Sequence, residues 1–259
     1  LFLGAILILA LALRLCYLHA ILDAPDFAAP QEDPEVQDYF ARGLVTGDWS
    51  IPEGFTDPEI NTTPFFRPPG HGYFLAVIYA FTDCSYLAPR IVNILLGLGG
   101  IVLIFLFGRA VFGRATGLLA AFFMSVYWVL IYWEGELNDP IVFVFLVPLL
   151  MNVLRWWTKR LHFGWAVLAG LIFGVYATMR PNILAFGPPV AAWMLWVAWR
   201  RGRLGAVPAS WSALLLATLA AIAPVTVRNY VVSGEFVPVS TYFGRSEERR
   251  VGKECRSRW

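Results

Sequence analysis

The chain has 259 residues, of which 58% are hydrophobic and 15% charged, with a formal net charge of +2. Its mean hydropathy of +0.62, with the apolar residues gathered in blocks, excludes an ordinary soluble domain, in which about a quarter of residues are charged, and points to a bilayer as solvent. Three scattered cysteines (Cys16, Cys84, Cys255) and three isolated histidines (His19, His71, His162) exclude a disulfide framework and a histidine-rich metal centre.

The first apolar run, 1–22, starts without Met and is interrupted by Arg14. It reads as a first transmembrane helix that has lost its cytoplasmic start, because no small-residue cleavage pattern follows to mark a signal peptide. Arg14 lies deep in that helix and is expected to pair internally or snorkel.

The long non-membrane stretch 23–72 follows. Stretches of that length are usually functional when ordered. Asp33-Pro34-Glu35 carries a helix-start pattern: an N-cap residue, Pro at the first helical position and an acid in the first turn. Val36, Tyr39, Phe40 and Leu44 recur at helical spacing. The pattern predicts a short amphipathic helix on the membrane surface. Arg67-Pro68-Pro69-Gly70 closes the stretch. A guanidinium offers a planar fork to a phosphate, and the two prolines stiffen the backbone beside it; an interfacial Arg reaching for headgroups is the plainer reading. Tyr73–Phe81 is apolar but too short to cross comfortably, so it is expected to be interfacial, within an outer loop 23–86.

Six further stretches are long and apolar enough to span: 87–107, 115–133, 140–157, 163–180, 184–199 and 208–228. With 1–22 they make about seven crossings. The basic clusters Arg109/Arg114, Arg155/Lys159/Arg160 and Arg200/Arg201/Arg203 then share one face, cytoplasmic by the positive-inside rule. The acidic segments 23–66 and 134–139 share the other. The expected fold is an all-α integral membrane bundle with an outer loop of amphipathic juxtamembrane helices. The tail 245–259, RSEERRVGKECRSRW, breaks abruptly to dense charge. It reads as a disordered tail or a translated sequencing-adapter artefact.

Asp33 and Asp139 are the leading candidates for chemistry. Each precedes Pro, so a routine N-cap competes with a catalytic role. Glu134, Glu136 and Asp139 fall within six positions between two apolar helices, where ionisable groups tend to face a cavity or partner. Arg90, Arg180 and Arg228 sit at acidic-side helix ends, against the positive-inside trend, and call for a compensating acid or an anionic ligand. Trp49, Tyr127, Trp128, Tyr132 and Trp133 read as an interfacial aromatic belt near the outer face.

Taken in order, these segments resemble the family-39-type integral-membrane glycosyltransferases, which include protein O-mannosyltransferases and the aminoarabinose transferase of lipid A and have the GT-C architecture. The resemblance rests on Asp33 to Leu44 with Gly47-Asp48-Trp49, Arg67-Pro68-Pro69-Gly70, Arg90-Ile91-Val92-Asn93, Phe112-Gly113, Tyr132-Trp133-Glu134-Gly135-Glu136-Leu137 before Asp139, Arg180-Pro181-Asn182, and Arg228-Asn229-Tyr230 before Ser233-Gly234-Glu235. It covers nearly all of 1–244. It implies a polyprenyl-phosphate sugar donor, a lipid, glycan or protein acceptor, and a reaction on the periplasmic or lumenal face of a membrane, with the bacterial inner membrane as the expected location. Asp33 matches the family's loop Asp, Asp139 its second outer acid, and Arg67 the basic residue before the double proline. On this reading Asp33 takes the acceptor proton, Arg67 clamps the donor phosphate with Arg90 or Arg180, and Glu134 and Glu136 support the site. No cofactor is fixed; a divalent cation held by the outer acids stays open. Family members are longer, so the chain is expected to be an N-terminal fragment, in which activity is in doubt. A transporter or a non-catalytic membrane scaffold is the alternative. Membrane lipids, and not nucleic acid, are the expected surroundings.

Overall fold

The computed structural model describes residues 1–51, 67–234 and 236–240. The tail 245–259 and most of the loop ahead of Arg67 lie outside the described residues. The helices are α1 (Phe2–Ile21), α2 (Asp33–Thr46), α3 (Gly70–Thr82), α4 (Leu87–Val111), α5 (Arg114–Val126), α6 (Trp128–Gly135), α7 (Pro140–Arg160), α8 (Phe163–Met179), α9 (Gly187–Arg200) and α10 (Val207–Ser233). Short 3-10 turns at Pro181–Phe186 and Leu204–Ala206 lead into α9 and α10. The protein is an all-α polytopic membrane protein.

Among the described residues five helices are long and apolar enough to cross a membrane: Phe2–Ile21, Leu87–Val111, Pro140–Arg160, Pro181–Arg200 and Leu204–Ser233. Helices α5 and α6 together are also long and apolar enough, but they meet at a 52° bend, the form of a broken span or a re-entrant loop. The sequence predicts one continuous helix over 115–133, and no Pro or Gly marks the break. It falls at Tyr127, which takes an extended conformation (φ −71°, ψ 104°). The break leaves the Ser125 carbonyl available, and the buried Arg14 guanidinium fills it, Nη1 donating at 3.0 Å. Arg14 Nε also lies 2.7 Å from Glu134 Oε2. One buried cation thus serves both the freed carbonyl and a buried carboxylate, as the absence of water inside a bilayer demands. The break puts Tyr127 and Trp128 at the bend, where the eight-residue α6 begins.

Helix α8 has 17 residues, about 26 Å of rise, slightly short of a typical ~30 Å hydrocarbon core. It is packed tightly onto α10 along Gly170 and Gly174. A Cβ on Gly170 would stand 2.3 Å from the Leu214 carbonyl oxygen, and one on Gly174 would stand 2.4 Å from Ala221 Cβ. Thr218 Oγ1 donates across the seam to the Gly170 carbonyl at 3.1 Å. In lipid, where apolar side chains gain little by leaving their solvent, such close backbone approach is a main source of helix association. Gly108 and Gly117 make a similar contact between α4 and α5.

The helices alternate in direction, so the bundle has two ends. Arg109, Arg114, Arg155, Lys159, Arg160 and Arg200 sit at the basic end. The acidic end gathers the C-termini of α1, α6 and α8 with the N-termini of α4 and α7. Gly135 packs on Tyr17 and Ile21 there, and Gly70 on Thr178 and Met179. Helices α2 and α3 lie across this end. Helix α3 has 13 residues, and both its ends meet the same layer: Gly72 touches Phe40, and Tyr79 donates to Asp38.

Helix α2 packs differently from its apolar pattern. Its buried residues are Asp38, Ala41 and Gly43, whereas Leu44 is exposed. A carboxylate is therefore central to the packed face. Asp38 accepts from Tyr79 Oη at 2.5 Å and Tyr86 Oη at 3.4 Å, and pairs with Arg42 Nε at 2.9 Å. Arg42 Nη2 donates to the Cys84 carbonyl at 3.0 Å and its guanidinium covers the Tyr86 ring at 4.4 Å. Its partners come from α2 itself, from α3 and from the residue before α4, so the cluster clamps α2 onto α3.

Candidate active site at the acidic end

Asp33 occupies the first residue of α2, not its cap. The cap is Glu32, with φ of 58° and no side-chain capping bond. The Asp33 carboxylate instead pairs with the Arg67 Nη1 group. Asp139 does stand at the N-cap of α7, but its side chain makes no capping bond either. Both its oxygens are taken by Arg180, Nε at 2.7 Å and Nη2 at 2.9 Å. That is the two-pronged geometry a guanidinium makes with a carboxylate.

Arg180 closes α8 in an extended conformation (φ −138°, ψ 89°). The following Pro181 disfavours a helical residue before it, so the helix stops and the side chain projects from the break. Its proton affinity is raised, first by the hydrogen bonds to Asp139 and then by the charges of Asp139 and Asp33. Asp33 is therefore within electrostatic reach of Arg180. Two carboxylate–guanidinium pairs, Arg67–Asp33 and Arg180–Asp139, thus stand at the acidic end, and the Asp33 charge acts on Arg180. The side chains of Asp33 and Arg180 are 58% and 54% exposed, which leaves these pairs open to a ligand.

The other singled-out residues surround these pairs. Arg90 is buried; its Nε donates to the Gly135 carbonyl at 2.6 Å, its Nη1 to the Tyr86 carbonyl at 2.7 Å, and its guanidinium covers Phe27 at 3.9 Å. Asn93, one turn on, donates to the Glu136 carbonyl at 3.0 Å. The Arg90-Ile-Val-Asn93 turn thus latches the 134–136 segment that leads into Asp139. Glu134 is committed to Arg14, and Gly97 makes room for it: a Cβ there would stand 2.1 Å from Glu134 Oε1. Glu136 is half-buried, and burial raises its carboxyl, with Arg90 acting the other way. Arg228 lies over the Phe40 ring at 5.5 Å. Among the described residues no group of three or more His, Cys, Asp or Glu could hold a metal ion.

Two residues escaped the sequence reading. Asp38 could have been found, because Arg42 stands four residues on and Ala41 shares its face. His71 offered only its place after Arg67-Pro-Pro-Gly. It is 1% exposed, neither ring nitrogen has a hydrogen-bond partner among the described residues, and burial together with the Arg180 charge pushes it down to about 3.

Neither the curated proteins nor the solved structures contain a match to this chain. The model of the dolichyl-phosphate-mannose-protein mannosyltransferase family matches residues 66–227, a segment that runs from the beginning of the Arg-Pro-Pro-Gly turn through α3 to α8 and into α10, and so holds Arg67, Asp139 and Arg180. That match spans more than half of the chain, and the chain belongs to the dolichyl-phosphate-mannose-protein mannosyltransferase family, membrane glycosyltransferases of the GT-C type.

Proposed function

We propose that the protein moves a sugar from a polyprenyl-phosphate donor to an acceptor at the non-cytoplasmic face of the membrane, with Asp33, Asp139, Arg67 and Arg180 at the reacting centre. The observation that supports this reading is the two carboxylate–guanidinium pairs at the acidic end, Arg67–Asp33 and Arg180–Asp139. A lipid-linked phosphate lies at headgroup depth, where such pairs can meet it, and guanidiniums are suited to receive it.

In the proposed step the acceptor hydroxyl oxygen attacks the anomeric carbon. The bond from that carbon to the phosphate oxygen breaks, and its electron pair leaves with the polyprenyl phosphate. The hydroxyl proton passes to the Asp33 carboxylate. Arg67 and Arg180 stabilise the charge gathering on the leaving phosphate. An arriving phosphate competes with Asp33 for Arg67, so donor binding itself releases the base. Arg180 holds both oxygens of Asp139 and aims it at the sugar or acceptor. Arg90 works from behind, by fixing the turn before Asp139. Glu134 supports the site at one remove by pinning α1 to α6, and Glu136 lines its edge.

The test is the reconstituted chain supplied with a panel of polyprenyl-phosphate sugars and with lipid, glycan and peptide acceptors. Release of polyprenyl phosphate dependent on one donor and one acceptor is the expected result. Because both acids already carry guanidinium partners, release is expected to persist in EDTA. Absence of release and of donor binding across the panel would remove the reading.

A further inference from the structure

Helix α3 begins in an unusual way. Its N-cap is Pro69, which offers no side-chain capping bond, and its first three residues, Gly70, His71 and Gly72, are all buried. The first intrahelical bond of the turn is Tyr73 N–H to the Pro69 carbonyl at 3.0 Å. Helical geometry gives the amides of the first three residues no intrahelical acceptor, and a buried helix start without a cap calls for a partner from outside. The same turn carries a second, independent deficit. The His71 ring is 1% exposed, rests against Phe74 at 5.8 Å between centroids, and has both nitrogens without a hydrogen-bond partner among the described residues. Leaving a buried polar group unpaired costs about 1–3 kcal/mol, so a sequence that keeps one next to these charged pairs has a use for it.

The surroundings select the ligand. Arg67 stands three residues before Gly70, and Arg180 acts on His71 electrostatically. A helix N-terminus favours negative charge. We infer that the first turn of α3 is a phosphate-binding floor, with the His71 imidazole donating one hydrogen bond to a phosphate oxygen of the lipid-linked ligand. The glycines have a reason here. Gly70 lies against Thr178 and Met179 and Gly72 against Phe40, where a Cβ would stand at 2.4 Å in each case, so only glycines let the turn pack this closely on α8 and α2. His71 enters as the neutral ring, which carries one N–H, and its role is to donate, not to hold charge. The site rests on the proposed donor chemistry and extends it by a binding turn besides the two guanidiniums.

The test measures binding of polyprenyl monophosphate, without sugar, to the protein in nanodiscs, for wild type, His71→Phe and His71→Gln. The ring of Phe fills the space but donates nothing, whereas the Gln amide restores an N–H. His71→Phe is expected to bind about ten-fold more weakly, the value of one net hydrogen bond to a charged acceptor. His71→Gln is expected to recover most of that loss. Ligand-free thermal stability of His71→Phe should equal or exceed wild type, since an unpaired polar ring has been replaced by an apolar one. With ¹⁵N-labelled histidine, the resonances lost in His71→Phe should shift when wild type takes up polyprenyl phosphate. Phosphatidic acid, a phosphate monoester on an ordinary lipid, should bind wild type and His71→Phe equally. Undiminished polyprenyl phosphate binding by folded His71→Phe overturns the inference while leaving the donor reading intact. An equal loss for phosphatidic acid makes the turn a general headgroup site and overturns its assignment to the donor. Failure of wild type to bind polyprenyl phosphate removes the donor reading and this one with it.

Discussion

At the scale of single residues, the site is a set of side chains whose partners are each other. Arg180 is the most constrained, holding both oxygens of Asp139. Arg180→Lys keeps the charge but loses the fork, and is expected to lower donor-dependent turnover about ten-fold to a hundred-fold, read as initial rates at saturating donor. Arg180→Lys with wild-type turnover would show that the fork has no role. His71 adds a pH signature. Its folded-state value, about 3, lies below the ordinary 6.5, so the folded protein resists protonation that the unfolded chain accepts. The stability tied to a neutral His71 is present above about 6.5 and is lost as the pH falls toward the folded value. Thermal midpoints measured from pH 7 to pH 5 should therefore fall less steeply in His71→Phe than in wild type. These residues differ in how readable they were. Arg67 and Asp139 stand out because proline fixes the backbone beside them. His71 does not, since its isolation in sequence says nothing about a missing partner in space, and Asp38 is marked only by Arg42 four residues on, on a helix face expected to be apolar.

At the scale of elements, the fold depends on close backbone approach and on one buried ion pair. Gly170→Val forces a side chain into the Leu214 carbonyl and should destabilise the protein by about 1–3 kcal/mol, seen as a lowered unfolding midpoint in detergent, whereas Gly4→Val, with open space around it, should not. Glu134→Ala leaves Arg14 buried without its carboxylate, a loss of about 3–5 kcal/mol by analogy with other buried pairs; the double change Arg14→Met with Glu134→Ala should recover much of it. The apolar blocks made the spanning helices readable, because hydropathy records the need to satisfy every backbone group within lipid. The break at Tyr127 was not readable. It is held by Arg14, which lies 113 residues earlier in the chain, and a contact of that kind leaves no local mark. The start of α2 was misread by one residue for a related reason: Asp33 meets a distant Arg67 instead of its own helix's amides.

At the scale of the whole molecule, the long spans act as a frame and the chemistry lies across one end. Basic side chains collect at the opposite end, and α2 and α3 are held over the acidic end by the Asp38 cluster. Arg90 and Asn93 tie the 134–136 turn to α4, so Asp139 is placed by two long helices. A transporter would use charges near the midplane between repeated halves; the buried charge within α1, Arg14, is already paired with Glu134. The measurement that tests the account most directly compares wild type with Asp33→Asn in the same vesicles, reading both donor binding and sugar release. The account expects Asp33→Asn to bind polyprenyl-phosphate sugar at least as tightly, because Arg67 no longer has a carboxylate to hold it, and to release sugar at least a hundred-fold more slowly. Release at the wild-type rate by Asp33→Asn would contradict it.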